Sequence, residues 1–174
     1  MHLKRLGVLC FLMVSCTADN ALKGGPPDNT SCSEPASVVV GSGELEWVNL
    51  DPGDGVDIVY GSQGGWHIVG SADVTGMDSG VTIHFTITDV KSGVLVSDNS
   101  YANGFIMQEE CSGSLLGMYG YLDVETLTGN PEVTPPEALA YHTIEMRMEA
   151  EDSTGRRAAS HIEVIAIPET PAEN

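Results

Sequence analysis

The sequence predicts an all-β fold in which antiparallel strands pack as a sandwich or a barrel. Three observations carry that expectation. Residues 81–88 alternate strictly, with Val81, Ile83, Phe85 and Ile87 on one side and Thr82, His84, Thr86 and Thr88 on the other. Side chains in a strand have period two, so this is the pattern of a ribbon with one buried face. Strand-like segments then recur at spacings of about ten residues, with Gly, Asp and Pro clusters between them. Finally, residues 139–167 read as two β-rich arms around the turn Asp152-Ser153-Thr154-Gly155.

Taken in order, the chain begins with Lys4 and Arg5, an apolar run from Leu6 to Val14, then Ser15 and Cys16. That is the basic and apolar layout of a secretory leader, expected over 1–15. The run is shorter than the roughly 20 apolar residues needed to span a bilayer. Its ending, Leu12-Met13-Val14-Ser15-Cys16, resembles a bacterial lipobox, with Met13 where Leu is commonest. The resemblance implies cleavage before Cys16, lipidation of Cys16 and anchoring in a membrane by several acyl chains. Thr17, rather than Asp, after the Cys points by the same resemblance to the outer membrane. An ordinary signal peptide cut elsewhere is the alternative.

The chain has 174 residues, with 7 basic against 25 acidic side chains and a formal charge of −18. Without Lys4 and Arg5, five basic residues face 25 acidic ones and the charge is −20. Such a surface repels phosphate backbones, so nucleic acid is excluded as a partner. With Cys10 in the leader and Cys16 lipidated, Cys32 and Cys111 are left over, and an exported protein is expected to pair them. A catalytic Cys is the alternative, and neither residue has a neighbour that suggests one.

Residues 16–36 are polar and rich in Gly and Pro and read as a flexible tether. One domain is expected over 37–168, followed by a disordered tail at 169–174. Short strands are expected from Val38 through Ile68, separated by Gly and Asp turns. In the first half of the central stretch, Trp66, Ile68, Ala72 and Val74 share a face opposite His67, Ser71 and Asp73. This segment and 81–88 are expected to pair with each other as a hairpin. Further along, Leu116, Met118, Leu122 and Val124 are expected to face inward, with Tyr119 and Tyr121 outward. Residues 125–138 read as a loop. Over 139–150 pattern and propensity conflict, because Glu, Ala, Leu, Met and Arg favour helix. The alternation of Ile144, Met146, Met148 and Ala150, with a turn and a β-rich return behind it, decides for a strand.

At residues 149–167 the chain resembles the last hairpin of immunoglobulin-like and fibronectin type III-like domains of secreted bacterial proteins, in which an Asp-x-x-Gly-Arg turn joins two strands. Residues 43–68 also resemble an N-terminal block of uncharacterised bacterial surface lipoproteins, with Gln63-Gly64-Gly65, Trp66 and His67 as its signature. The resemblance implies an Ig-like antiparallel β-sandwich of seven to nine strands in the cell envelope. It implies no chemistry.

Candidate sites are few. Asp51, Asp54 and Asp57 offer oxygen ligands suited to Ca²⁺, although the spacing is not that of an EF-hand; a solvated acidic turn is the other reading. Gln63, Trp66 and His67 make a candidate binding loop, or else a tight bend with Trp66 in the core and His67 capping a carbonyl. His142, Met146 and Met148 carry groups that suit Cu(I), but Met in this alternation is an adaptable core filler. No GxSxG, Walker A, GxGxxG or CxxC pattern occurs. The expectation is a non-catalytic, cofactor-free binding, adhesion or scaffold module of the envelope with a protein or glycan partner. A periplasmic copper- or calcium-handling protein is the alternative.

Overall fold

The computed structural model describes residues 32–62, 64–104 and 106–169. The leader, Cys16, Gln63 and residues 170–174 lie outside the described residues. Among the described residues, ten strands and two short helices follow in order: β1 Ser37–Ser42, β2 Val48–Asn49, β3 Gly55–Tyr60, β4 Trp66–Thr75, β5 Gly80–Asp89, β6 Val94–Gly104, β7 Ile106–Glu109, β8 Ser112–Tyr121, α1 Glu125–Thr128, α2 Pro135–Leu139, β9 Thr143–Asp152 and β10 Arg157–Pro168. The protein is therefore mostly β, as its alternation predicts. The strand at 143–152 forms despite its helix-favouring composition, because Ile144, Met146, Met148 and Ala150 are all buried on one face. Tertiary burial outweighs propensities of a few tenths of a kcal/mol per residue.

Two groups of strands face each other. One runs β2-β1-β4-β8-β7 and the other β3-β10-β9-β5-β6. β3 also pairs with β4 through Val59↔His67 and Tyr60↔Trp66, which joins the groups into one sheet. Three expectations need correction here. The sheet is mixed rather than wholly antiparallel, because β3 runs parallel to β10 from Gly55↔Ile165 to Ile58↔Pro168. β4 and β5 do not pair with each other: β4 lies between β8 and β1, and β5 between β9 and β6. Their connection is a corner between layers, plugged by the fully buried Met77, whose N–H donates to the Cys111 carbonyl. Residues 125–138, expected as loop, contain α1 and all but the last residue of α2. The N–H and hydroxyl of Thr134 both donate to the Glu137 carboxylate at the start of α2, a capping box that fixes the first turn.

The interior forms where the inward faces meet. Ile68, Ala72 and Val74 of β4 meet Val81, Ile83, Phe85 and Ile87 of β5 and Met146 and Met148 of β9, all with at most 1 % exposure. Glycine makes this approach possible at two places. A Cβ on Gly70 would come within 2.7 Å of the Phe85 ring, and one on Gly120 within 2.5 Å of Ile87 Cδ1. The layers thus close over a single large aromatic side chain, whose burial contributes about 1.5–3 kcal/mol.

The inward set of β8 differs from the sequence expectation. Leu115, not Leu116, is buried beside Met118. A register shift opposite Ser71 adds a residue to β8, where Gly117 takes φ +66°. A bulge of this kind reverses the alternation on either side of it.

The N-terminal end of the described chain is fastened to the domain. Cys32 and Cys111 form the expected disulfide. Arg156 donates to the carbonyl oxygens of Cys32, at 2.8 Å, and of Glu34. Residues 32–36, read from sequence as the end of the tether, are therefore held at the surface, and Ala36 packs on the core. At the other terminus, the Glu169 N–H still donates to the Ile58 carbonyl.

Candidate functional site

Because Ile68, Ala72 and Val74 point inward, the alternate residues of β4 point away from the core. His67 heads that outer row, followed by Val69, Ser71 and Asp73. The register of β8 sets Tyr121 opposite His67 and Tyr119 opposite Val69. Three rings consequently meet on the outer face. His67 lies 4.5 Å from Tyr119 and 6.0 Å from Tyr121, centroid to centroid, and the two tyrosines are 6.1 Å apart in an edge-to-face arrangement. Edge-to-face contacts of this sort add about 0.5–1.5 kcal/mol beyond the area they bury.

Turns flank the rings on two sides. The β1–β2 turn folds over the bulge of β8: Ser71 Oγ donates to the Gly43 carbonyl at 2.6 Å, and the Gly117 N–H donates to the same oxygen. Glu44 on that turn accepts a hydrogen bond from the Tyr119 hydroxyl. That carboxylate holds the Tyr119 phenol above its ordinary pKa, because ionising the phenol would place two negative charges together. On the other side, the Gly61 N–H donates to the Gly65 carbonyl across the β3–β4 turn. A Cβ on Gly61 would fall 3.1 Å from the His67 ring, so that residue closes directly over the imidazole.

His67 is only 7 % exposed, and its Nδ1 is buried without a hydrogen-bond partner among the described residues. Leaving a buried polar atom unpaired costs about 1–3 kcal/mol. Tyr121 is 47 % exposed. The face is aromatic, partly open and built on strands rather than on loops.

The residues singled out from sequence fare unequally. His67 lies in this aromatic group, but it stacks on tyrosines and caps no carbonyl. Trp66 points the other way and packs against the edge of the core. Gln63 lies outside the described residues. Asp54 spends its carboxylate on its own turn, accepting the Asp51 N–H at 2.8 Å, and Asp57 is exposed on β3. Met146 and Met148 are fully buried, whereas His142 turns to Asp89 with Nδ1 2.8 Å from Oδ1. Among the described residues, no three His, Cys, Asp or Glu side chains come together in a group that could hold a metal. The residues that sequence reading missed are Glu44, Tyr119 and Tyr121. The outward alternation of the two β8 tyrosines was visible, but only the strand register places them beside His67.

Asp89 accepts hydrogen bonds from Ser92, through both N–H and hydroxyl, as well as facing His142. Burial works to raise its pKa, and these bonds outweigh it, so the carboxyl sits below its ordinary value. The hydroxyl is bound to the carboxylate and not to the imidazole, so this trio does not activate Ser92 as a nucleophile.

A second concavity, a groove of about 440 Å³, lies on the opposite layer between Thr82, His84, Glu149, Glu151, Arg157 and Ala159. Its charges are already paired: His84 with Asp98, Arg147 with Glu149 and Arg157 with Glu151.

No family model and no curated protein matches this chain. Among solved structures, the chain is similar to the CooA pilin subunit from enterotoxigenic Escherichia coli, at 13 % identity over 79 % of this chain and 100 % of that one, with a TM-score of 0.35.

Proposed function

We propose that this chain is an exported, lipid-anchored protein of the bacterial cell envelope, outer-membrane-attached through Cys16. Its Ig-like β-sandwich binds a partner without catalysis, through the outer face of β4 and β8. The observation that carries the binding face is His67, a side chain buried with an unpaired Nδ1 among rings that stay partly open to solvent. Folding does not require an unsatisfied nitrogen there, since a phenyl ring would fill the same space at lower cost. Sites that bind are where such costs are retained. The address rests on the leader and on the lipobox resemblance, and the Cys32–Cys111 disulfide accords with an oxidising compartment.

The address and the face are tested separately. Cys16→Ser should shift the protein from the membrane to the soluble fraction, and mass spectrometry of the mature terminus should find lipidated Cys16. Unchanged membrane retention refutes the anchor. For the face, Tyr121→Ala should abolish partner crosslinking in native cells while leaving the urea midpoint nearly unchanged.

A further inference from the structure

We infer that the occupant of the β4–β8 face is a cationic polypeptide segment carrying Arg or Lys. This deepens the binding reading above and rests on it. The first observation is where the fixed positive charges lie. Among the described residues, Lys and Arg occur only as Lys91, Arg147, Arg156 and Arg157, in the β5–β6 turn, on β9, in the β9–β10 turn and at the start of β10. β1, β2, β3, β4, β7 and β8 contain none. Every Lys and Arg among the described residues therefore lies on or between strands of the other group, where Arg147 and Arg157 are paired with glutamates and Arg156 grips backbone carbonyls.

The second observation is what surrounds the rings. The Glu44 carboxylate accepts the Tyr119 hydroxyl at the edge of the group. An aromatic face attracts cations through the negative potential of its rings, by about 0.5–1 kcal/mol when exposed and about 2 kcal/mol when desolvated. The Glu44 carboxylate at its margin adds to this, and surfaces carrying one sign of charge concentrate ligands of the other. Guanidinium and ammonium groups are donors only, so they match the Glu44 carboxylate and ring faces alike. A second copy of this chain fits poorly, since two bodies of about −20 charge repel. An anionic polysaccharide is opposed for the same reason.

The test is a titration of purified full-length protein with a short labelled Arg/Lys-rich peptide, its Gln-substituted counterpart and a neutral oligosaccharide. The cationic peptide should bind, and raising the salt should weaken it. Tyr121→Ala should weaken it about three- to tenfold. Tyr121→Phe should restore binding, which separates ring chemistry from loss of fold. Glu163→Gln, a charge removed from the opposite layer, should change nothing. Equal binding of the Gln peptide, or equal damage from Glu163→Gln, would mean a diffuse polyanion effect and overturn the proposal. If only the oligosaccharide binds in a Tyr121-dependent way, the face stands and the cationic assignment falls. If no probe depends on Tyr121, both readings fall.

Discussion

The outer sides of the β4–β8 layer and the β5–β9–β10 layer are made by the same alternation, yet they present opposite surfaces. On β5, β9 and β10 the outward residues are threonines and charges that answer one another across neighbouring strands, such as His84 with Asp98 and Arg157 with Glu151. On β4 and β8 they are rings, an imidazole whose buried Nδ1 has no partner among the described residues, and polar groups held locally, Ser71 on the Gly43 carbonyl and Asp73 by the Ser114 hydroxyl. Self-paired surfaces offer a partner little, because water already serves the groups and exposed ion pairs contribute only about 0–1 kcal/mol. The difference sets a face finished in paired charges against one that ends in a partly open aromatic surface.

That contrast is easiest to break from the interior, on which both sides depend. Replacing both Cys32 and Cys111 by Ser should cost most, up to about 4–5 kcal/mol by chain entropy for a loop of this length. Urea unfolding of the two forms checks it, and equal midpoints would show that Arg156 alone suffices to hold the N-terminal end. Phe85→Ala should cost about 3–5 kcal/mol, because Gly70 and Gly120 leave no side chain to fill the space. Both variants should damage the two faces alike.

Acid should come next. Asp89 and Asp152 both sit below their ordinary pKa. At Asp152 burial works to raise it, but is outweighed by donors from Thr154, Asp78 and Arg156. A carboxyl whose pKa is lower when folded stabilises above its unfolded value near 4 and loses that contribution as pH falls through the folded value. Stability should therefore be flat from about pH 7 to 5 and fall below about pH 4. Asp152→Asn should flatten that acid limb, which urea midpoints across the range would show.

The smallest effects separate the two sides directly. His67→Phe keeps the ring packing and removes the unpaired nitrogen, so stability should stay level or rise by up to about 1 kcal/mol. Arg147→Gln on the other layer should fall by no more than about 0.5 kcal/mol. A clear loss from His67→Phe would mean that folding itself uses the imidazole.

Much of the fold was legible where burial acts on neighbours in sequence. Val81 through Ile87 and Ile144 through Ala150 alternate in the chain and are buried in that alternation. What escaped depends on residues far apart. The parallel register of β3 on β10 joins positions more than a hundred residues apart, and no local pattern records it. The bulge at Gly117 changes which leucine faces inward, although the glycine itself was a signal. Thr134-Pro135-Pro136-Glu137 held a readable capping box inside a segment taken for loop. Met77, an apolar residue in a presumed hairpin turn, was the clue that the chain crosses between layers there. His67 was legible as a candidate, but its ring partners come from β8, about fifty residues later, and only the pairing of strands brings them together.

The fastening at residue 32 has a mechanical consequence. A load arriving from the N-terminal side meets a covalent bond to Cys111 and the Arg156 grip before it reaches the first strand. Tension is thereby shared between two distant turns instead of unzipping β1 from β4 one rung at a time.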